Sequence, residues 1–288
     1  ILCGWRYSKD IPSEATFSRA FDEISEMQIA QKAHAQFVKE YLSEKTFFYN
    51  ATDATKIPLR EKAVKKEKIE KIKHKAGRPK KGEIREPIKP KILEQQKKMQ
   101  SVEEKLTLVS TDCGVGIKQN SKGNREVWIG GKLHISAVDG DIPITAFYSG
   151  ANVHDSSVAL PLIQETSKRV NYLYDLQDAG YDADIIREFS TASGHRPIID
   201  INPKNSKELK AKIELMEHEN KTFKYLNQHL NCDEQHYNQR SMVERVNKYL
   251  KDDFGCDKIY YQGATKVASV LAFGILSICI HQSLQLVT

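Results

Sequence analysis

Tyr237-Asn238-Gln239-Arg240-Ser241-Met242-Val243-Glu244, running on to Lys251, is the stretch on which the reading of this 288-residue chain turns. Its chemistry-bearing residues follow the spacing Y-x2-R-x3-E-x6-K. On a helix, positions 237, 240, 244, 248 and 251 step by three or four and share one face. The spacing therefore predicts one carboxylate set in a stripe of tyrosine, arginine and lysine. Val243, Val246, Asn247 and Leu250 fall together on another face, which predicts a helix over 239–250. An Arg240–Glu244 pair at i,i+4 is an ordinary surface salt bridge. That reading leaves Tyr237 and the position of Lys251 without a role.

Working outward, two more carboxylates stand at informative places. Phe47-Phe48-Tyr49-Asn50-Ala51-Thr52-Asp53 is aromatic-rich and strand-like, and Asp53 is expected at its end. Residues 170–176 form a short apolar strand that runs into Asp178-Ala179-Gly180-Tyr181-Asp182. Carboxylates at strand ends of an α/β sheet, joined by one from a neighbouring helix, can converge on a point. Such a cluster repels itself unless hard cations neutralise it, and Mg²⁺ takes oxygen ligands while leaving room for a phosphate. Two such ions about 3.5–4 Å apart suit an in-line displacement at phosphorus.

Asp112, in Ser110-Thr111-Asp112-Cys113, competes with Asp53, but Gly114 and Gly116 make its surroundings read as a loop. Asp175 competes with Asp178, but it lies within the strand. Asp155 and Asp182 read as a helix cap and a turn residue. His134, His154 and Cys113 come from separate segments without the paired spacing of a zinc site, so structural roles are expected. Trp128 could stack on an unpaired base. Its place in an alternating strand favours core packing.

The rest of the chain reads as alternating elements. Residues 12–43 look helical, with Ser13 and Thr16 as cap candidates. Residues 127–138 and 142–148, joined by Asp139-Gly140-Asp141, read as a β-hairpin. Helices are expected at 155–168, around Ile185, Ile186 and Phe189, at 204–230 and at 265–286, with a strand at 197–201. Strands alternating with helices after a hairpin predict an α/β layered domain.

Composition narrows the function classes. A hydrophobic content of 40% supplies a core and excludes full disorder. Five cysteines, an odd number without CxxC spacing, argue against a disulfide framework and fit a reducing cytoplasm. The apolar run 267–280 is shorter than the ~20 residues of a bilayer span, so a buried helix and no membrane partner are expected. Ile1 in place of Met points to a fragment truncated at its N-terminus. Charge is uneven. Residues 60–100 carry 16 Lys and Arg against 6 Asp and Glu, so the remainder of a chain with net charge +6 is mildly acidic. A basic block of this kind suits a polyanion, because each neutralised phosphate releases counterions, although a solvated linker reads the same way.

The quoted motifs resemble those of the IS4-type DDE transposases, whose Y-x2-R-x3-E-x6-K signature occurs here without a mismatch. Asp53-Ala54-Thr55 looks like the family's first D-x-T motif. Trp128-Ile129-Gly130-Gly131-Lys132-Leu133-His134 resembles its "G-x-KLH" strand, and Ala151-Asn152-Val153-His154-Asp155 its "A-N-x-H-D" loop. Asp178-Ala179-Gly180-Tyr181-Asp182 resembles its "D-x-G-Y-D" motif. The resemblance runs from about Phe47 to the C-terminus, the basic insert apart.

It implies an RNase H-like mixed sheet flanked by helices, an α/β fold. It implies Asp53, Asp178 and Glu244 as catalytic, metal-binding residues holding two Mg²⁺ ions, with Mn²⁺ as substitute. Tyr237, Arg240 and Lys251 are implied to contact phosphates of a cleaved DNA end. The implied activity is transposition. Double-stranded DNA (terminal inverted repeats and target) is cleaved and joined by a homodimer in the bacterial cytoplasm, at the nucleoid. A nuclease of the same fold without strand transfer, or an inactive transposase-derived DNA-binding protein, are the alternatives.

Within the insert, Gly77-Arg78-Pro79-Lys80-Lys81-Gly82 resembles an AT-hook. Arg78, Lys80 and Lys81 are accordingly expected DNA contacts in a narrow minor groove. A Pro/Gly turn between basic helices reads the same residues equally well. The expected organisation is an N-terminal helical segment (1–45), a catalytic domain (46–59 and 105–288) and a basic insertion (60–104).

Overall fold

β1 (Thr46–Pro58) has a different kind of neighbour on each edge. On one side β3 (Arg125–Val138) runs antiparallel to it, in register from Asn50↔Val138 to Pro58↔Gly130. On the other β5 (Asn171–Gln177) runs parallel, from Thr46↔Asn171 to Thr52↔Gln177. β4 (Ile142–Gly150) pairs antiparallel with β3, and β6 (Arg196–Ile199) parallel with β5. The order β4-β3-β1-β5-β6 is the mixed sheet expected of an RNase H-like domain. The structure, a computed structural model, describes Tyr7 and residues 11–64, 90–119, 123–203, 206–227 and 232–286. The expected contacts Arg78, Lys80 and Lys81 lie outside the described residues.

A sixth strand, β2 (Gly114–Gln119), pairs with the first part of β3 from Gly114↔Gly130 to Gln119↔Arg125. The two make a ribbon that extends beyond β1. The glycines that made this stretch read as a loop are required by packing instead. The Trp128 indole lies across Gly116, where an added Cβ would stand 2.3 Å from the ring. Trp128 is buried, and its Nε1 donates to the Gly131 carbonyl at 3.2 Å.

Before the sheet, the expected single helix over 12–43 is two: α1 (Glu14–Glu26) and α2 (Ile29–Tyr41). Gln28, at φ 53°, breaks them in the left-handed region. Ser13 caps α1 by accepting from the Thr16 N–H. Two short helices, α3 (Ile92–Lys98) and α4 (Val102–Thr107), precede β2. Gln96 joins them to the sheet's flank, donating to the carbonyls of Lys105 and Ser157. α5 (Ser156–Arg169) and α6 (Asp184–Ala192) bury Leu160, Ile163, Ile186 and their neighbours on that face. α7 (Lys207–Asn227) and α8 (Cys232–Asn238) follow β6.

The opposite face of the sheet carries α9 (Ser241–Asp252) and α10 (Ala264–Gln285). Ala51, Ile57, Leu133, Ile135 and Leu176 from the strands meet Met242, Val243, Val246 and Leu250 of α9 and Val267, Leu271 and Ile275 of α10. Each fully buried aliphatic side chain contributes about 1.5–3 kcal/mol, which fixes α9 against β1 and β3. Among the described residues α10 is the one helix long and apolar enough to cross a bilayer, and it packs against α1, α2, α9 and β4. Gly274 lets α9 approach it closely, since an added Cβ would meet Leu250 Cδ1 at 2.6 Å.

The stripe beginning at Tyr237 is not one continuous helix. Tyr237 is the next-to-last residue of α8 and Arg240 is the residue before α9. The joint is made of i,i+3 turns, with the Arg240 N–H donating to the Tyr237 carbonyl at 2.9 Å. That tight joint keeps the two side chains together, the Arg240 guanidinium 5.8 Å from the Tyr237 ring centroid.

Candidate active site

Asp53 lies in the middle of β1, five residues before its end, because the strand continues to pair with β3 as far as Pro58. It is therefore not the strand-end residue the sequence suggested. β5 stops at Gln177, the partner of Thr52, so the next residue, Asp178, follows beside Asp53. There the chain turns through a 3₁₀ segment, Ala179–Tyr181, and Asp178 Oδ1 accepts the Gly180 N–H at 2.9 Å. Two carboxylates thus meet where β1 and β5 part.

Their electrostatics follow from burial and proximity. Burial pushes Asp53 up from 3.8 to about 6; the Ala54 N–H opposes this, the charge of Asp178 adds to it, and Arg240 and Lys118 pull it back. Asp178 is also raised, first by burial and then by Asp155, against the Gly180 N–H, Arg240 and Lys118. Two half-buried carboxylates, set close enough for the charge of Asp178 to raise Asp53 and only partly met by cations, are a fitting donor set for a hard divalent cation.

α9 completes the site from above. Asn247 Nδ2 donates to Asp53 Oδ2 at 3.0 Å, while Asn247 Oδ1 is buried without a partner. Glu244, one turn earlier on the helix, is about half exposed and accepts from Arg240 Nη2 at 2.5 Å. Burial works against the charge of Arg240. Tyr237, Glu244, Asp53 and Asp178 together more than offset it, and its pKa is raised. Arg240 therefore sits among all three expected carboxylates. Asp53 and Asp178 are brought together; Glu244 is on the right helix, but its carboxylate is held by Arg240. Among the described residues, no three His, Cys, Asp or Glu are grouped closely enough to hold a metal ion.

The remaining expected residues divide. Tyr237 Oη donates to Asp200 Oδ2 at 2.5 Å, beyond the end of β6. Burial, reinforced by that bond, raises the Tyr237 pKa. Lys251, at the far end of α9, has its pKa lowered by burial and then by Lys56. Asp175 is fully buried and structural in its contacts, accepting from Asn50, Gln177 and Ser190. Asp112 is exposed and accepts from Ser110. Asp182 receives Arg187 and the Asn202 N–H.

Asp155 occupies the cap position of α5 but makes no capping bond. Instead its Oδ1 takes Lys132 Nζ at 2.8 Å, and its Oδ2 lies 3.9 Å from where a Cβ on Gly180 would stand, near Asp178 Oδ1. His134 is buried against Ser149 at 2.8 Å, and burial lowers its pKa to about 4. His154 bonds to Ser156. Sequence reasoning missed Asn247, Asp200 and the pairing of Lys132 with Asp155. Lys132 and Asp155 each lay in a quoted motif, and Asp200 is a carboxylate in an otherwise apolar strand, but nothing local joined them to the site.

A family model described as "Transposase DDE domain" matches residues 51–280. No match was found among curated proteins, and none among solved structures.

Proposed function

The chain belongs to the transposase DDE-domain family, and from that premise we propose that it is an IS4-type DNA transposase that binds the terminal inverted repeats of a mobile element, cleaves a phosphodiester at each end and joins the freed 3′-hydroxyl to target DNA. The observation that carries this reading is the meeting of Asp53 and Asp178 where two parallel strands part, under the helix that bears Glu244 and Asn247. In this reading Asp53, Asp178 and Glu244 hold two Mg²⁺ ions, for which Mn²⁺ can substitute. When bound, those ions lower the pKa of the attacking oxygen and stabilise the leaving one.

The chain's own residues do the positioning. Asn247 orients the Asp53 carboxylate through its 3.0 Å bond. Arg240 presents a planar fork suited to a phosphate. Exchange of Glu244 for a DNA phosphate at Arg240 frees the Glu244 carboxylate to turn toward the two aspartates, so that end binding completes the site. Lys251 supplies a point charge beside the same strand, and Tyr237 a phenolic donor once it leaves Asp200. Joining two ends requires a homodimer, acting on DNA in the cytoplasm.

The test is Mg²⁺-dependent cleavage of a duplex carrying the inverted repeats that flank the gene, followed by joining of pre-cleaved ends to a plasmid. Cleavage and joining support the proposal. Cleavage without joining identifies a nuclease of the same fold, and binding without cleavage an inactive DNA-binding descendant.

A further inference from the structure

The ribbon of β2 and β3 carries charges, Lys118 and Glu126, that no quoted sequence motif accounts for. Glu126 of β3 lies directly across from Lys118 of β2 in the antiparallel ladder, which sets their Cβ atoms about 4.5–5.5 Å apart. The same carboxylate is ion-paired with Lys56 of β1. Lys251, from the C-terminal part of α9, adds its charge from further off: the pKa of Glu126 is held down first by Lys56 and then by Lys118 and Lys251. One glutamate is thus ion-paired with a lysine of β1 and set across the ladder from a lysine of β2, with a third lysine contributing from α9.

At Lys251 burial first and then Lys56 push the pKa down and Lys118 adds to this, while Asp257 and Asp53 oppose it without restoring the ordinary value. The cluster also borders the two aspartates, because Lys118 acts on both Asp53 and Asp178. Lys56 is three residues beyond Asp53 on the same strand, an odd offset that starts its side chain on the alternate face of β1, and its ion pair with Glu126 ties it to the ribbon.

We infer that Lys56 and Lys118, with Lys251, form a binding site for the phosphodiester backbone a few nucleotides from the scissile bond, and that Glu126 is a built-in counter-anion occupying the phosphate's place until DNA displaces it. This rests on the DNA-processing reading above and extends it to residues outside the signature. Glu126 keeps the three lysines together in the free protein, at the cost of competing with the ligand. Its pair with Lys56 is solvent-exposed and so contributes little to stability, which suits a contact that opens on binding.

The experiment is fluorescence anisotropy of the full chain with a labelled duplex of arbitrary sequence, about 30 base pairs long, titrated across salt concentrations, because backbone contacts do not require the cognate repeat. Lys56→Ala and Lys118→Ala should each weaken binding by about threefold to tenfold, and each should lower the slope of log affinity against log salt by about 1. Glu126→Gln should tighten binding by about threefold, through release of the competing anion. Lys97→Ala, which removes an exposed lysine paired with Glu188 on another part of the surface, is the control, and thermal melts establish that each variant is folded. If Lys56→Ala and Lys118→Ala match the control while Arg240→Ala still weakens binding, this inference falls and the proposed function stands. If the wild-type chain binds no duplex, both fall.

Discussion

Asn247 donates to Asp53 at 3.0 Å, a bond between residues 194 positions apart in the chain. It ties the helix that bears Glu244 to the strand that bears the first acid. The bond also explains why an asparagine lies among the aliphatic residues on the inner face of α9. Val243, Val246 and Leu250 anchor the helix in the core, and the amide meets the one charged group on that part of β1.

Asn247→Ala should therefore injure two properties at once. Asp53 loses its side-chain donor while remaining partly buried, and a lost hydrogen bond to a charged group costs about 1.5–3 kcal/mol. Chemical denaturation should show that loss. Mg²⁺-dependent cleavage should drop by about tenfold as Asp53 loses its orientation. Unchanged stability and unchanged cleavage together would remove Asn247 from the site.

The raised pKa of Asp53 gives stability a defined pH dependence. The folded chain binds this proton more tightly than the unfolded chain. The contribution of Asp53 is thus fully present below about 3.8 and is lost as pH rises through about 6. Above that window the ionised residue costs roughly 3 kcal/mol. In a chelator-containing buffer, Asp53→Asn should melt higher than wild type at neutral pH, and the two should converge near pH 4. Adding Mg²⁺ should raise the wild-type melting temperature more than that of the variant, since only a ligand that binds the folded state stabilises it. A variant less stable than wild type at neutral pH would contradict the placement of Asp53 as a desolvated, repelled carboxylate.

Arg245 anchors α9 at its other exposed flank. Its Nε and Nη2 donate to the two oxygens of Asp141 at 2.7 and 2.6 Å. Asp141 sits in the β3–β4 turn at φ 60°. Asp141→Gly keeps that backbone conformation accessible but removes the fork. It should cost about 1–2 kcal/mol and reduce cleavage without abolishing it, because the aliphatic face still holds α9. Arg245→Ala should have the same effect, and the double variant should be no worse than either single one. Additive losses in this cycle would show that the fork is not the relevant contact.

Gly116 tests the ribbon. A methyl group there would collide with the Trp128 ring, so Gly116→Ala should destabilise the chain by about 1–3 kcal/mol through overpacking. Trp128→Leu in the same background should relieve part of that loss, as read from denaturation midpoints. Full tolerance of alanine at 116 would mean that the indole does not lie on the ribbon.

Much of this architecture was legible in the residues because it depends on local pattern. The aromatic run leading to Asp53, the turn Asp139-Gly140-Asp141 between two β runs, and the apolar strand feeding Asp178 all announce themselves within a few positions. What escaped depends on distant partners. β2 read as a loop because its glycines are explained only by an indole on the neighbouring strand. The break at Gln28 uses a left-handed conformation that nothing in the local sequence requires. Asp53 was expected at a strand end because the polar residues after it hide five more paired positions. The capture of Glu244 by Arg240 was visible as i,i+4 spacing. Its meaning was not, because the same spacing describes both a surface ion pair and a carboxylate held beside two aspartates.

The most direct measurement is cleavage of an inverted-repeat duplex in Mg²⁺ by Asp53→Asn, Asp178→Asn and Glu244→Gln, with duplex affinity measured on the same preparations. Each substitution should lower cleavage by at least about a hundredfold while affinity for the duplex is retained or improved. Full cleavage by any one of the three, in a folded protein that binds the duplex, would contradict the three-carboxylate site.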